Sequence, residues 1–167
     1  IMSYGDLLFE KSVLKKVIDY KGDVGVVIDT NWREYWKARF GVLNKDLETM
    51  ILNGDNIISL GIETNNPDEQ KARYVGIIKF SKNAIKNVEK VYDDAKLKFW
   101  DKLFYTSKSF KKAYMTDFIQ ALIDNGIKVC TIKINNGWLE FDTNENYENA
   151  LKWIKEGNLN RFYSPNN

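Results

Sequence analysis

Val24-Gly25-Val26-Val27-Ile28, followed by Asp29, is the stretch on which the fold turns. It is short, almost entirely apolar and rich in β-branched residues, the pattern of a strand covered on both faces. Tyr74-Val75-Gly76-Ile77-Ile78-Lys79-Phe80 repeats that pattern fifty residues on. Around these runs the periodicity changes to that of helices. Met115, Phe118, Ile119, Leu122 and Ile123 follow the i, i+3, i+4, i+7, i+8 stripe, and Gly126 sits where a C-terminal cap belongs. A second helix is expected over 10–19, with Val13, Leu14, Val17 and Ile18 inward, and a third over 144–156, closed by Gly157. Asn53-Gly54 and Asn136-Gly137 each lie between apolar-rich runs and predict tight hairpin turns. Alternating helices and buried strands, with such hairpins, imply an α/β fold with a mixed central sheet flanked by helices. Only the tail from about residue 158 reads as loose.

Composition narrows the chemistry. The 167 residues are enough for one domain with a substantial core. Lys and Arg number 25 against 23 Asp and Glu, so no overall field demands nucleic acid or an anionic membrane. There is no histidine, which removes Ser-His and Cys-His nucleophiles and imidazole–zinc sites together. A single cysteine, Cys130, excludes an intrachain disulfide and a cysteine metal cluster. Charges interrupt every apolar run well short of a membrane span, and no signal peptide is recognisable; the reading is a cytoplasmic protein. Chemistry must then run on carboxylates, Lys, Arg, Tyr and hydroxyls, and carboxylates alone suit hard cations, magnesium above all.

Several acids stand where such chemistry would need them. Asp6 closes Ile1-Met2-Ser3-Tyr4-Gly5-Asp6, with a small Gly before it that lets a ligand approach at a strand's end; a turn aspartate or helix N-cap would look the same. Glu140 and Asp142 alternate in Gly137-Trp138-Leu139-Glu140-Phe141-Asp142-Thr143, so in a strand they share a face with Trp138. They read equally as a cation site or as the solvated face of a strand, with Asp142 or Thr143 capping the following helix. Asp29 fits a βα turn. Trp32, Tyr35, Trp36, Arg39 and Phe40 recur at helical spacing, which describes a core stripe, or an aromatic wall with Arg39 reaching an anion. Lysines and aromatics interleave over 96–114, a pattern single-strand nucleic-acid binders use, but near-neutral charge and the lack of a recognised motif argue against it. No GxxxxGK[ST] or GxGxxG loop is present. The residues alone define a carboxylate site in an α/β domain without choosing a reaction.

The order of segments adds more. Ser3-Tyr4-Gly5-Asp6-Leu7-Leu8-Phe9, Val27-Ile28-Asp29-Thr30-Asn31-Trp32, Tyr74 to Ser81, Met115-Thr116-Asp117 and Gly137 to Thr143 together resemble the small nucleotidyltransferases. These activate phosphocholine, aminoethylphosphonate and related compounds, and include the transferase domain fused to phosphoenolpyruvate mutases. The resemblance runs from Ser3 to about Trp153 and implies a nucleotide-diphospho-sugar transferase-like (GT-A-like) sheet with its site at the strands' carboxyl ends. It implies that Asp6 and Asp142 bind a catalytic Mg2+, and that Trp138, Glu140, Trp32, Arg39, Thr116 and Asp117 are candidates for the acceptor pocket. The implied substrates are a nucleoside triphosphate, CTP favoured, and a small phosphorylated alcohol or phosphonate, with no nucleic acid or membrane partner. Such enzymes begin with a Gly-rich loop carrying an Arg, followed by a Lys, and neither element is matched here. Residues 1–157 are therefore expected to be the C-terminal portion of such a domain, lacking its first strands, with 158–167 as a tail. A portion of this kind is expected to turn over poorly alone and to self-associate through exposed strand edges. Alternative readings are a non-catalytic binding or assembly domain derived from this fold, or a sugar-phosphate nucleotidyltransferase.

Overall fold

The computed structural model describes residues 1–165. In chain order it forms β1 (Met2–Ser3), β2 (Leu7–Phe9), α1 (Lys11–Asp19), β3 (Val24–Asp29), α2 (Trp32–Phe40), β4 (Leu47–Asn53), β5 (Asn56–Thr64), β6 (Arg73–Phe80), α3 (Ile85–Phe99), α4 (Met115–Asp124), β7 (Val129–Ile134), β8 (Trp138–Glu140) and α5 (Asn144–Lys155), with 3-10 turns at Phe110–Lys112 and Leu159–Arg161. A six-stranded mixed sheet runs in the order β1-β6-β3-β7-β5-β4, and β2 and β8 make a separate antiparallel pair.

β3 is buried along its whole length, as its uninterrupted apolar sequence requires. It pairs with β7 in parallel and with β6 antiparallel, so both its edges are occupied. Its side chains alternate between two cores. Val24, Val26 and Ile28 join the layer containing Ile119 and Leu122 of α4 and Val88 and Val91 of α3. Val27 faces the other way, into the layer with Val17 of α1 and Trp32, Tyr35 and Trp36 of α2. One strand with period-two alternation thus organises helices on both faces.

The helix stops fall where the glycines stand. Gly126 and Gly157 have φ of 79° and 71°. Ile127 N–H donates to Leu122 O and Gly126 N–H to Ile123 O, while Asn158 N–H donates to Trp153 O and Gly157 N–H to Ile154 O. Both sets are the paired bonds of a Schellman cap.

The expected β4–β5 hairpin forms with its turn shifted by one residue, and two other expectations are corrected. The turn after β4 is centred on Gly54-Asp55 with Asn53 paired to Asn56, and only Gly54 takes positive φ, so the Asn belongs to the strand. At Asn136-Gly137 both residues take positive φ, but no hairpin forms. Strand β8 leaves the large sheet there and pairs with β2 instead, through Leu7–Glu140, Leu8–Leu139 and Phe9–Trp138. The tail is also not loose as far as it is described. Phe162 is 1% exposed and packs against Tyr35 and Trp153, with ring centroids 5.4 and 5.1 Å away. Gly137 N–H donates to Phe162 O at 2.7 Å, and Asn136 Nδ2 donates to Arg161 O at 2.9 Å. Tail polarity hid one aromatic anchor. Residues 166–167 lie outside the described residues.

Because Phe162 fills the core beneath the crossing to β8, Phe162→Ala is expected to destabilise the fold by about 3–5 kcal/mol. Urea denaturation checks this; a loss under about 1 kcal/mol would return the tail to the periphery.

Candidate functional site

Strand β1 runs into the site. Its ladder with β6 pairs Met2 with Ile78 and Ser3 with Ile77, and Tyr4 N–H then donates to Gly76 O at 3.0 Å. Gly76 has φ of 85°, and a Cβ there would stand 2.7 Å from the Tyr4 ring. Only glycine permits that backbone and that contact together. Beyond Tyr4 the chain turns through Gly5-Asp6 into β2. A Cβ on Gly5 would meet nothing within 4 Å, so the space before Asp6 is open to an incoming ligand.

The ladder between β2 and β8 continues one residue further, since Phe141 N–H donates to Asp6 O at 3.0 Å. Asp6 therefore lies directly across from Phe141, beside Asp142. The two aspartates, 136 positions apart in sequence, are backbone neighbours at one rim. Asp6 is exposed and its carboxylate makes no hydrogen bond to another described residue. Asp142 is half exposed; its Oδ2 accepts from Arg39.

Arg39 ties the rim to α2. Its side chain is 1% exposed. Nη1 donates to Glu140 Oε2 at 2.5 Å, and Nη2 donates to Asp142 Oδ2 at 2.5 Å and to Asn146 Oδ1 at 2.8 Å. The guanidinium also lies 4.7 Å from the Phe40 ring and 5.0 Å from that of Trp36. Arg is the residue for this position because its planar fork serves two carboxylates at once, which an ammonium cannot do from one geometry. Thr143 is the N-cap of α5, accepting from Asn146 N–H, so Asp142 is left for Arg39. Asn146 N–H is thus capped while its side chain receives both Arg39 and the Asp142 N–H, at 3.2 Å. Glu140 N–H donates to the Tyr35 hydroxyl at 2.9 Å, which fixes β8 from the helix side. Burial pushes the Tyr35 phenol up to about 12, so it stays protonated. Burial likewise raises Glu140 above the usual carboxylate range, opposed by the Arg39 charge and hydrogen bond.

The other sequence candidates lie elsewhere. Trp32 and Trp138 are each 1% exposed and belong to the core. Trp138 does not share an open face with the acids; its indole N–H donates to Asp29 Oδ2 at 2.9 Å. Asp29 is fully buried, and its Oδ1 accepts the Asn31 and Asn136 N–H groups. It is a clip between α2 and the crossing to β8, with burial raising its pKa against those bonds. Thr116 and Asp117 are buried at the start of α4. Asp117 accepts from Thr106 N–H and Oγ1, Ser107 Oγ and Tyr114 N–H, a structural capping role on the opposite face of the sheet from Arg39. In the lysine-rich stretch, Phe104 and Phe110 turn into that same core, so the interleaved aromatics do not form a continuous stacking surface. Sequence reasoning missed Asn146, whose one signal is its place three residues after a capping threonine. It also missed Tyr4, Glu48, Gln70, Arg73 and Tyr74, gathered by the return of residues 65–73 across the end of the sheet.

Two exposed or half-exposed hard carboxylates fit magnesium, which takes one or two protein carboxylates and completes its shell with water and phosphate oxygens. Among the described residues no group of three or more acidic, His or Cys side chains forms a protein-only cage.

Removing the guanidinium isolates Glu140 in a buried setting. Arg39→Met is expected to cost about 3 kcal/mol near pH 8. The folded-state pKa of Glu140 then rises further above its unfolded value, so the fold binds an extra proton between the two. Stability therefore falls as pH rises through that window, and part of the loss should be recovered at about pH 5. Urea titrations at the two pH values check the sign; a pH-independent loss would mean that packing, not charge, dominates.

No protein-family model matches the chain. Over 143 residues, 85% of its length, it is 33% identical to the CTP:phosphoglutamine cytidylyltransferase of Campylobacter jejuni, of which it covers 54%. Its fold matches that of the inositol-1-phosphate CTP transferase from T. maritima with a TM-score of 0.58 at 17% identity, over 97% of this chain and 56% of that one. The chain spans about half the length of each of these proteins. Within that span, the chain with its mixed α/β sheet is similar in sequence and fold to the small cytidylyltransferase-like nucleotidyltransferases.

Proposed function

We propose that this chain carries part of the active site of a magnesium-dependent nucleotidyltransferase. The enzyme would transfer CMP from CTP to a small phosphorylated alcohol or a phosphonate, releasing pyrophosphate. What supports this reading is the backbone pairing of Asp6 with Phe141, one residue from Asp142, together with the buried guanidinium that holds Asp142. CTP and a phosphorylated acceptor are supported by the names of the two similar proteins, each of which uses CTP or a phosphorylated compound by its description.

An anionic acceptor oxygen would attack the α-phosphorus in line with departing pyrophosphate. A phosphate or phosphonate oxygen is already ionised near neutral pH, so no general base is needed, and a histidine-free site suffices. Magnesium supplies neutralisation of the charge that develops on the phosphoryl oxygens. Asp6, unengaged by the protein, and Asp142, with one oxygen fixed, would hold it. Arg39 and Asn146 would keep the Asp142 carboxylate in one orientation, which limits the reorganisation needed during reaction. The cytoplasm, where CTP is made, is the compartment this reading implies. A non-catalytic derivative of the fold would need neither Asp6 open nor Asp142 clamped.

In the full-length protein, Asp6→Asn and Asp142→Asn should each lower pyrophosphate release from CTP by about 100-fold or more. Unchanged circular dichroism should accompany the loss, since Asp6 is exposed and an amide oxygen at 142 can still accept from Arg39. EDTA should abolish the activity and added Mg2+ restore it. Retention of normal metal-dependent turnover by either variant would remove that residue from the site.

A further inference from the structure

The end of α3 and the loop after it present an outer side that the reaction above does not use. Leu97, Leu103 and Tyr114, at 84%, 71% and 68%, are the three most exposed large apolar or aromatic side chains among the described residues. Trp100, between the two leucines, is 45% exposed. It follows Leu97 by three residues and is still helical as the C-cap of α3, so the two share a face. The segment that carries them is held firmly from within. Phe104 and Phe110 are buried, with ring centroids 5.0 Å apart. Phe104 and Ser107 exchange backbone hydrogen bonds at 3.0 and 2.9 Å, and the Tyr105 hydroxyl donates to Asp124 Oδ2 at 2.6 Å. Large apolar side chains fixed together in water mark a surface that something else covers.

The charge around them is one-sided. Residues 96–112 carry Lys96, Lys98, Lys102, Lys108, Lys111 and Lys112 and a single acid, Asp101, which Lys111 engages. That is +5 in a chain whose total is +2, so the remaining residues carry −3. Lys96 Nζ lies 5.7 Å from the centre of the exposed Trp100 ring. Every cation in this segment is a lysine. Protein–protein interfaces favour arginine and are depleted in lysine, whereas a hydrated ammonium suits the diffuse field of anionic headgroups. Tryptophan settles at headgroup level, and a leucine beside it reaches the acyl boundary. α3 and α4 pack on the face of the sheet opposite α2, which carries Arg39. A surface seated against the end of α3 therefore leaves Asp6 and Asp142 open.

We propose that the end of α3 and the loop after it form a contact site for an anionic bilayer surface. Leu97, Trp100 and Leu103 enter the interface, and the surrounding lysines face the lipid phosphates. No helix among the described residues is long and apolar enough to cross a membrane, so the contact is peripheral. The family resemblance implies no membrane partner and the total charge demands none; the inference stands instead on where the charge and the exposed side chains lie. It does not depend on the transferase reading. Two leucines and one indole bury little apolar area, so binding needs insertion and charge together and is reversible.

Co-sedimentation of the full-length protein with vesicles of phosphatidylcholine alone, or of equimolar phosphatidylcholine and phosphatidylglycerol, tests this. At about 0.1 M salt the protein should partition at least about tenfold more onto the anionic vesicles. The preference should collapse near 1 M, where the screening length falls from about 10 to about 3 Å. Leu97→Ser with Leu103→Ser, and separately Lys98→Gln with Lys102→Gln, should each lower the partitioning about tenfold. All four side chains are exposed, so circular dichroism should not change. Trp100 is the one exposed tryptophan among the described residues. Brominated phosphatidylcholine mixed into the anionic vesicles should therefore quench emission that Trp100→Phe removes. Failure to partition onto anionic vesicles overturns the assignment and leaves the patch to a protein partner. Partitioning that survives either double substitution, or quenching undiminished by Trp100→Phe, also overturns it, because the lipid contact then lies elsewhere or is adsorption without insertion.

Discussion

A guanidinium withdrawn from water is the constraint around which this end of the molecule is arranged. An isolated buried charge costs several kcal/mol, and the penalty is offset only if oriented acceptors surround it. Arg39 meets that condition with Glu140, Asp142 and Asn146, drawn from β8, the link after it and the first turn of α5. Three segments that share no sheet with α2 are thereby held in register to it. The large sheet places β3 and α2; the ion cluster then dictates where β8 must pass. That explains why β8 leaves the sheet after Asn136-Gly137, and why β2 pairs with it there, carrying Asp6 to the same rim.

The parts of this architecture visible in the sequence are those set by neighbours along the chain. The two-faced burial of residues 24–28, the helical stripe ending at Gly126 and the cap at Gly157 all follow from local periodicity and backbone freedom. The destination of residues 138–140 does not. An Asn-Gly turn has the same local signature whether the strands it joins pair with one another or part company. Arg39 shows the same limit from another side: helical spacing placed it correctly on the buried stripe, but could not say that its partners lie a hundred residues away. Trp138 and Glu140 share a parity in sequence, yet one is enclosed and the other reaches the rim, because a three-residue strand between two layers has no uniform open face.

The site candidates taken from family resemblance divide along the same line. Asp6 and Asp142 come near one another along the backbone, because the ladder from β2 to β8 sets Asp6 across from Phe141. Thr116 and Asp117 sit across the sheet, where Asp117 secures the loop over 106–114 to the start of α4. Its four accepted bonds leave it little capacity for a ligand, so a motif position and a site position are different things here. The residues that do approach the rim without a sequence signal arrive through the bridge between Met50 and Gln70, which brings the segment before β6 against β4. No periodicity announces such a bridge, since it is made by a loop crossing the open end of a sheet.

With no histidine available, the protein distinguishes its acids by solvation and pairing alone. Asp29 and Asp117 are fully enclosed and satisfied by N–H and O–H donors, which suits them to holding backbone in place. Glu140 is largely buried and matched by a cation, so its charge is committed to Arg39. Asp6 and Asp142 keep oxygen atoms facing water, and Glu48 stands between these extremes, partly desolvated but without a partner. A hard cation needs accessible carboxylate oxygens, which only the acids near the surface offer. The same side-chain chemistry is thus sorted by depth: outermost where oxygens stay open to a ligand, innermost where they hold the fold itself.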